Sequence, residues 1–203
     1  MTQGKPKCDV VLVDGGGTNI GSVRYALQRL GVDAEMTSDA QRIRAASHVI
    51  LPGVGAAGPG MAKLGETGLD DVLRGLRQPL LGVCLGMQLL YERSDEGDTE
   101  CLGLLPGAVT QFAPIERLRV PHMGWNRLRV ERDDPLLAGL DDEAYAYFVH
   151  SYAAPIGPAT IASTQYGAAF SAIVRQGNVC GMQFHPERSA AVGARLLQNF
   201  LGL

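Results

Sequence analysis

The stretch Pro79–Leu90, Pro-Leu-Leu-Gly-Val-Cys-Leu-Gly-Met-Gln-Leu-Leu, limits the folds open to this chain more than any other. Its first half is a short continuous apolar run, the pattern of a strand buried on both faces. Its second half stays apolar at helical spacing through Leu85, Leu89 and Leu90, which predicts a helix beginning at once. Cys84 stands at the junction, with Gly82 and Gly86 two residues to either side. Gly-x-Cys-x-Gly is the cysteine counterpart of the Gly-x-Ser-x-Gly elbow. That strand–turn–helix is tight enough to need small neighbours, and it lifts the nucleophile above the sheet. A helix N-terminus carries partial positive charge and favours thiolate over thiol. A core cysteine is the other reading, since cysteine is among the most buried residue types. The elbow alone leaves both open.

The chain before the elbow alternates short apolar runs with helical spacing. Cys8–Val13 reads as a strand running into the glycine cluster Asp14–Asn19, followed by a helix through Val23, Ala26, Leu27 and Leu30 that Gly31 stops. The glycines are adjacent rather than spaced Gly-x-Gly-x-x-Gly, so a tight turn is preferred to a nucleotide site. Val32–Thr37 reads as a strand, Ala40–Ala46 as a helix, His48–Leu51 as a strand, and Met61–Leu64 and Leu69–Leu76 as helical. This alternation predicts an α/β fold with a flavodoxin-like, doubly wound, mostly parallel central sheet and helices on both faces. Sites in such sheets lie beyond the carboxyl ends of the strands. The third strand ends in the glycine-rich passage Pro52–Gly60, backbone free enough of side chains to bring N–H groups against a ligand.

Past an acidic segment, Glu92–Glu100, read as a loop at the rim, the character changes. Gly103–Phe112, Asn126–Glu131, Ala144–Tyr152, Thr160–Gln165, Ala169–Arg175 and Val179–Phe184 read as strands, giving a β-rich, partly antiparallel C-terminal half. Gly177-Asn178 marks a tight turn. A last helix follows Ser189, its expected N-cap, with Val192, Leu196, Leu197, Phe200 and Leu201 on its apolar face. A length of 203 residues without linker or repeat fits one domain over 1–203, residues 1–7 being a frayed leader. A net charge of −3 argues against nucleic acid or an anionic membrane as partner. The longest apolar stretch is too short to span a bilayer and the leader has no signal-peptide core, so a cytoplasmic protein is expected. The four cysteines are scattered, and no His/Cys/carboxylate spacing suggests a metal; neither metal nor cofactor is expected.

The elbow's partner lies about a hundred residues on, in His185-Pro186-Glu187 at the end of a buried strand. Proline keeps the preceding residue extended, and in an extended chain residues two apart share a side. Glu187 can then accept Nδ1–H of His185 and leave Nε2 free as a base, the orienting role of the acid in a nucleophile–base–acid triad. His48 reads as structural, while His122 and His150 are rival bases without a carboxylate placed to orient them.

With these residues together, Gly82-Val-Cys-Leu-Gly-Met-Gln88 and His185-Pro-Glu187 resemble the class I (triad) glutamine amidotransferase family. Pro121-His-Met-Gly-Trp-Asn126, Tyr147-Phe-Val-His-Ser-Tyr152 and Gln183-Phe-His-Pro-Glu-Arg-Ser189 are similar to its branch of glutaminase subunits of imidazole glycerol phosphate synthases. The resemblance runs from about Val10 to the C-terminus. It implies Cys84 as nucleophile, His185 as base and acid, and Glu187 as the group orienting His185. Backbone N–H groups of Leu85 and of Gly53-Val54 are implied as the oxyanion hole. Gly55, Gln88, Glu96, Ser151 and Tyr152 are implied as the glutamine site, Glu96 facing the substrate's ammonium. The implied partner is a (β/α)₈-barrel cyclase in a heterodimer, contacted through Asn19, Trp125, Asn126 and Tyr147. It would receive ammonia and make imidazole glycerol phosphate and AICAR in histidine biosynthesis. Gly21 and Ser22 stand where some relatives carry a further asparagine. Alternatives are a triad glutaminase serving another synthase, a stand-alone γ-glutamyl cysteine hydrolase, and a non-enzymatic module on the same fold. The glycine-rich loop after the third strand also predicts a glutaminase that is weak until its partner and that partner's ligand bind.

Overall fold

Strand runs buried on both faces assemble into a sheet at the centre of the molecule. The computed structural model describes residues 8–15, 20–113, 118–141 and 143–203. The first half contributes β1 (Val10–Val13), α1 (Ile20–Arg29), β2 (Glu35–Thr37), α2 (Ala40–Ala45), β3 (His48–Gly53), α3 (Ala57–Glu66), α4 (Leu69–Arg74), β4 (Leu80–Cys84) and α5 (Leu85–Gln88). After it come β5 (Tyr91–Ser94), β6 (Thr99–Glu100), β7 (Leu105–Gln111), β8 (His122–Arg127), β9 (Arg129–Val130), β10 (Tyr145–His150) and β11 (Tyr152–Ala153). The chain closes with β12 (Thr160–Tyr166), β13 (Ala168–Gln176), β14 (Val179–Met182) and α6 (Ala190–Phe200).

The main sheet has eight strands in the order β2-β1-β3-β4-β14-β13-β12-β9. The first five are parallel and the remainder antiparallel. β1 explains how one run serves two cores. Val10 and Leu12 point to one face, with α1, α6 and the β8–β10 pair; Val11 and Val13 point to the other, with α2, α3, α4 and the small β5–β7 sheet. β14 returns parallel to β4 after the antiparallel excursion, so chain some hundred residues from the elbow lies directly beside it, Met182 opposite Val83.

Three expectations need correction. Of the passage 52–60 only 54–56 is loop, because β3 runs to Gly53 and α3 begins at Ala57, taking in Gly58 and Gly60. Its first turn is capped from outside, the Ala57 N–H donating to Glu96 Oε2 at 2.8 Å. The acidic segment 92–100 is largely a hairpin, in which Arg93 pairs Glu100 and Ser94 pairs Thr99. The helix after Cys84 ends at Gln88 instead of running through Leu90. The carbonyls of Leu89 and Leu90 accept from Leu102, Leu104 and Leu105 N–H, which draws the chain into β5.

Candidate active site

β3, β4 and β14 are neighbours in the parallel part of the sheet, so their carboxyl ends deliver three segments to one place. β3 brings Gly53 and the turn behind it, β4 brings Cys84, and β14 leads through Gln183 and Phe184 to His185. Cys84 has φ 54° and ψ −113°, a conformation a non-glycine residue holds only where its surroundings enforce it. The surroundings are the two glycines. A Cβ on Gly82 would lie 2.6 Å from the Gly86 oxygen, and one on Gly86 would overlap the Leu51 carbonyl oxygen. The elbow therefore presses directly on the β3 backbone, with no side chain between. Because α5 is only four residues long, positive potential at Cys84 comes from the unpaired first-turn N–H groups rather than a long helix dipole.

His185 and Cys84 line the same cleft, and His185 Nδ1 lies 3.0 Å from Glu187 Oε1 behind the ring. The pairing is the one expected, but the backbone is not. His185 is extended, whereas Pro186–Arg188 turns into a 3₁₀ helix that brings Glu187 under the ring. The Glu187 side chain is only 2% exposed. Burial opposes charge on His185, yet the hydrogen bonds and attraction from Cys84 and Glu187 outweigh it and push its pKa up to about 10.

Ser189 holds the arrangement from behind. It stands at the N-cap position of α6 but makes no capping bond. Its hydroxyl instead donates to the His185 carbonyl at 2.7 Å and accepts from the Tyr147 N–H at 2.9 Å. The His185 N–H donates in turn to the Tyr147 carbonyl at 3.0 Å. The sequence reading missed this tie, because a serine before a helix has the same signature as a cap.

A cleft of about 340 Å³ opens over Cys84, lined by Val54, Gly55, Leu85, Gln88, Glu96, Ser151, Tyr152 and His185 among others. That is the size of a small-molecule site. All five residues expected to bind glutamine line it. Of the residues expected to form the oxyanion hole, Val54 and Leu85 line the cleft, while Gly53 packs under the elbow, where a Cβ would meet Gly86 N at 2.6 Å. Sequence reasoning passed over Val149, whose carbonyl lies 3.9 Å from Cys84 Sγ, and Pro121, both lining the cleft; His150, weighed only as a rival base, lines it too. Burial holds His150 down to about 3 and His122 to about 4, so neither is a base at neutral pH. Among the described residues no cluster of His, Cys, Asp and Glu is placed to hold a metal.

Beside the cleft, β8 and β10 pair so that Tyr147 faces Trp125 and Val149 faces Met123. Trp125 is 53% exposed and Met123 63%. Asn126 points to the other face, donating to the Gln165 carbonyl at 3.0 Å. Asn19 lies outside the described residues.

A strained elbow cysteine, a histidine from the adjacent parallel strand and a carboxylate beneath it define the triad type of cysteine amide hydrolase on a doubly wound sheet. Residues 11–202 match the family model described as glutamine amidotransferase class-I. The chain is 58% identical over 193 residues to imidazole glycerol phosphate synthase subunit HisH of Xanthomonas axonopodis pv. citri (strain 306), covering 95% of this chain and 96% of that one. It is equally identical, over the same shares, to the subunit of that name from Xylella fastidiosa (strain Temecula1 / ATCC 700964). A crystal structure of a glutamine amidotransferase superposes with a TM-score of 0.73 at 25% identity, covering 95% of this chain and 97% of that one. The chain belongs to the class-I glutamine amidotransferases and, within them, to the family of HisH subunits of imidazole glycerol phosphate synthase.

Proposed function

We propose that the chain, acting as a single domain, hydrolyses glutamine to glutamate and ammonia at Cys84 and passes the ammonia to a (β/α)₈-barrel cyclase. The observation that carries this reading is that Cys84 and His185 line one cleft while Glu187 holds His185 Nδ1 from behind at 3.0 Å. Cys84 Sγ attacks the side-chain carboxamide carbon, forming a C–S bond as the thiol proton passes to His185. The carbonyl oxygen takes up negative charge against the N–H of Leu85 and backbone of the Gly53-Val54 turn. The C–N bond then breaks as the proton on His185 passes to the leaving nitrogen, releasing ammonia and a γ-glutamyl thioester. Water attacks the thioester, its proton goes to His185, and glutamate leaves as Sγ is restored. Glu187 holds the imidazole in place throughout.

Glu96 is the carboxylate for the substrate's ammonium: one oxygen takes the Ala57 N–H, leaving the other to the cleft. Ser151 and Tyr152 provide backbone groups for the α-carboxylate. The exposed β8–β10 face bearing Trp125, Met123 and Tyr147 is the cyclase-docking face in a heterodimer, aromatic anchors beside the cleft being the composition such an interface needs. The turn between β3 and α3 holds its oxyanion donor out of line until the ligand-loaded cyclase binds. Replacing Cys84 with alanine should abolish glutamate release while preserving binding of the cyclase. Retained glutamate release would refute the assignment, and equal rates alone and in the ligand-loaded complex would refute the gating.

A further inference from the structure

One backbone carbonyl beside the cleft fixes the state of three side chains. The Tyr152 oxygen accepts from His150 Nδ1 at 2.8 Å and from Gln88 Nε2 at 2.9 Å. A carbonyl can only accept, so His150 carries its proton on Nδ1. Burial keeps the ring neutral, with a pKa near 3, and the neighbouring His122 and His185 add to that effect against the bond to Tyr152. His150 Nε2 is therefore a bare acceptor. It lies 3.2 Å from His122 Nδ1, which must carry an N–H. His122 is also kept neutral by burial, near 4, so its Nε2 accepts. Facing that atom at 3.3 Å is Asn126 Nδ2, which also donates to the Gln165 carbonyl at 3.0 Å. The Asn126 amide orientation is fixed independently, since its Oδ1 accepts from the Arg127 N–H at 2.8 Å.

Every bond from Asn126 to Tyr152 thus points the same way, and a proton added to either ring would set N–H against N–H. The surroundings enforce neutrality. Tyr166 stacks on His122 with ring centroids 4.0 Å apart, and Phe112, Phe148 and Phe170 pack around the two imidazoles. The titratable groups facing the pair are Tyr166, on the partner-strand side, and His185 with Cys84, on the cleft side. The same carbonyl also orders Gln88. Gln88 Nε2 commits both protons, to Tyr152 O and to Gln183 Oε1 at 3.1 Å, leaving Oε1 as the polar group it offers to the cleft it lines.

We infer that His122 and His150 are positioning residues, a neutral one-way relay from the strand β8 that holds the Tyr152 carbonyl in place to accept from Gln88 Nε2 and so to fix the Gln88 amide. In that orientation Gln88 offers an acceptor to the N–H donors of an amino-acid amide substrate. The inference rests on the proposed assignment of the cleft to glutamine, and its test separates the two. In the ¹⁵N-labelled full-length chain, both histidines should show the Nδ1–H tautomer by NMR and should not titrate between pH 5 and 8. An Nε2–H tautomer at His150, or titration of either ring near pH 6.5, overturns the relay whatever the cleft binds. His150→Phe suits the aromatic surroundings, so a merely structural histidine would be replaced without kinetic effect. The relay predicts instead a KM for glutamine about tenfold higher, the scale of one well-oriented hydrogen bond, with kcat falling less than threefold. His150→Gln, neutral with one donor and one acceptor, should restore most of the affinity. An unchanged KM in His150→Phe overturns the positioning role. Glutaminase activity surviving in Cys84→Ala overturns the assignment of the cleft instead.

Discussion

Gly86→Ala tests whether the elbow's geometry rests on backbone-to-backbone contact. The new Cβ would overlap the Leu51 carbonyl oxygen and lie 2.9 Å from the Leu51 carbonyl carbon. That carbonyl cannot swing aside, because Leu51 pairs with Gly82 in the centre of the sheet. Either the elbow rises or β3 shifts, by roughly 1 Å, to restore normal contact. Overpacking of this kind costs about 1–3 kcal/mol, and with two backbone segments opposed the upper end applies. For a chain of this size each kcal/mol lowers Tm by about 2–4 °C, so a fall of about 6–12 °C is expected. The same shift separates the Leu85 N–H from the Gly53-Val54 turn, and misplacement by about 1 Å at a reacting centre costs about a hundredfold in rate. Thermal melts and glutamate release from the purified chain measure both effects. Gly65→Ala is the control, since its Cβ meets nothing within 4 Å and it lies inside α3, where alanine should add up to about 1 kcal/mol. Gly86→Ala melting within 2 °C of the parent (about 1 kcal/mol or less) with near-parent activity would refute the reasoning.

Glu187→Gln should lower glutaminase kcat by about 10³–10⁴, as loss of the orienting acid does in other triads, with KM little changed; kcat and KM from steady-state rates decide it. The pKa of His185, raised from 6.5 to about 10, makes its pairing a source of stability that is complete below pH 6.5 and lost as pH rises through 10. Denaturation midpoints from pH 6 to 10.5 should therefore fall more steeply in the parent than in Cys84→Ala. Glu96→Gln should raise KM for glutamine about tenfold or more by removing the charge facing its ammonium, while kcat holds; a rise in KM matched by Asp98→Asn would show only a general field effect. Asp39→Ala removes the acceptor of the Gln41 and Arg42 N–H groups at 2.7 and 3.2 Å, and should cost about 1 kcal/mol in a melt with activity intact.

The fold was legible where a run had only one place to go. Leu80-Leu81-Gly82-Val83 is too apolar for anything but a strand covered on both faces, and the flanking glycines forced the turn. The triad was legible because strand ends in a parallel sheet meet at one edge, so distant motifs at such ends are brought together. What escaped the sequence depended on partners remote along the chain. The length of α5 is set by Leu102, Leu104 and Leu105 claiming the carbonyls of Leu89 and Leu90. The start of α3 within a glycine-rich passage is favoured by Glu96 capping Ala57. Ser189 looked like a cap until Tyr147 and His185 were seen on either side of it. His122 and His150 gave no sign of their pairing, because strands 28 residues apart in sequence must first be put in register.

The placement of Tyr147 gives the proposed docking face a short mechanical route to the chemistry. Its ring lies under the Arg188 guanidinium, 4.3 Å from centroid to Cζ, and edge-on to Trp125 at 5.9 Å. Its backbone carbonyl takes the His185 N–H and its own N–H reaches Ser189, which holds the His185 carbonyl. Both peptide groups of the histidine are thereby tied to one residue of β10, directly or through a single hydroxyl. A partner that shifts Tyr147 must move His185 or break these bonds, each worth about 1 kcal/mol net and more if left unpaired in the interior. β10 itself carries the same displacement to His150, which its register with β8 sets opposite His122. A subunit docking on this face therefore has hold of the base and of the His150–Tyr152 wall through β10, without touching either.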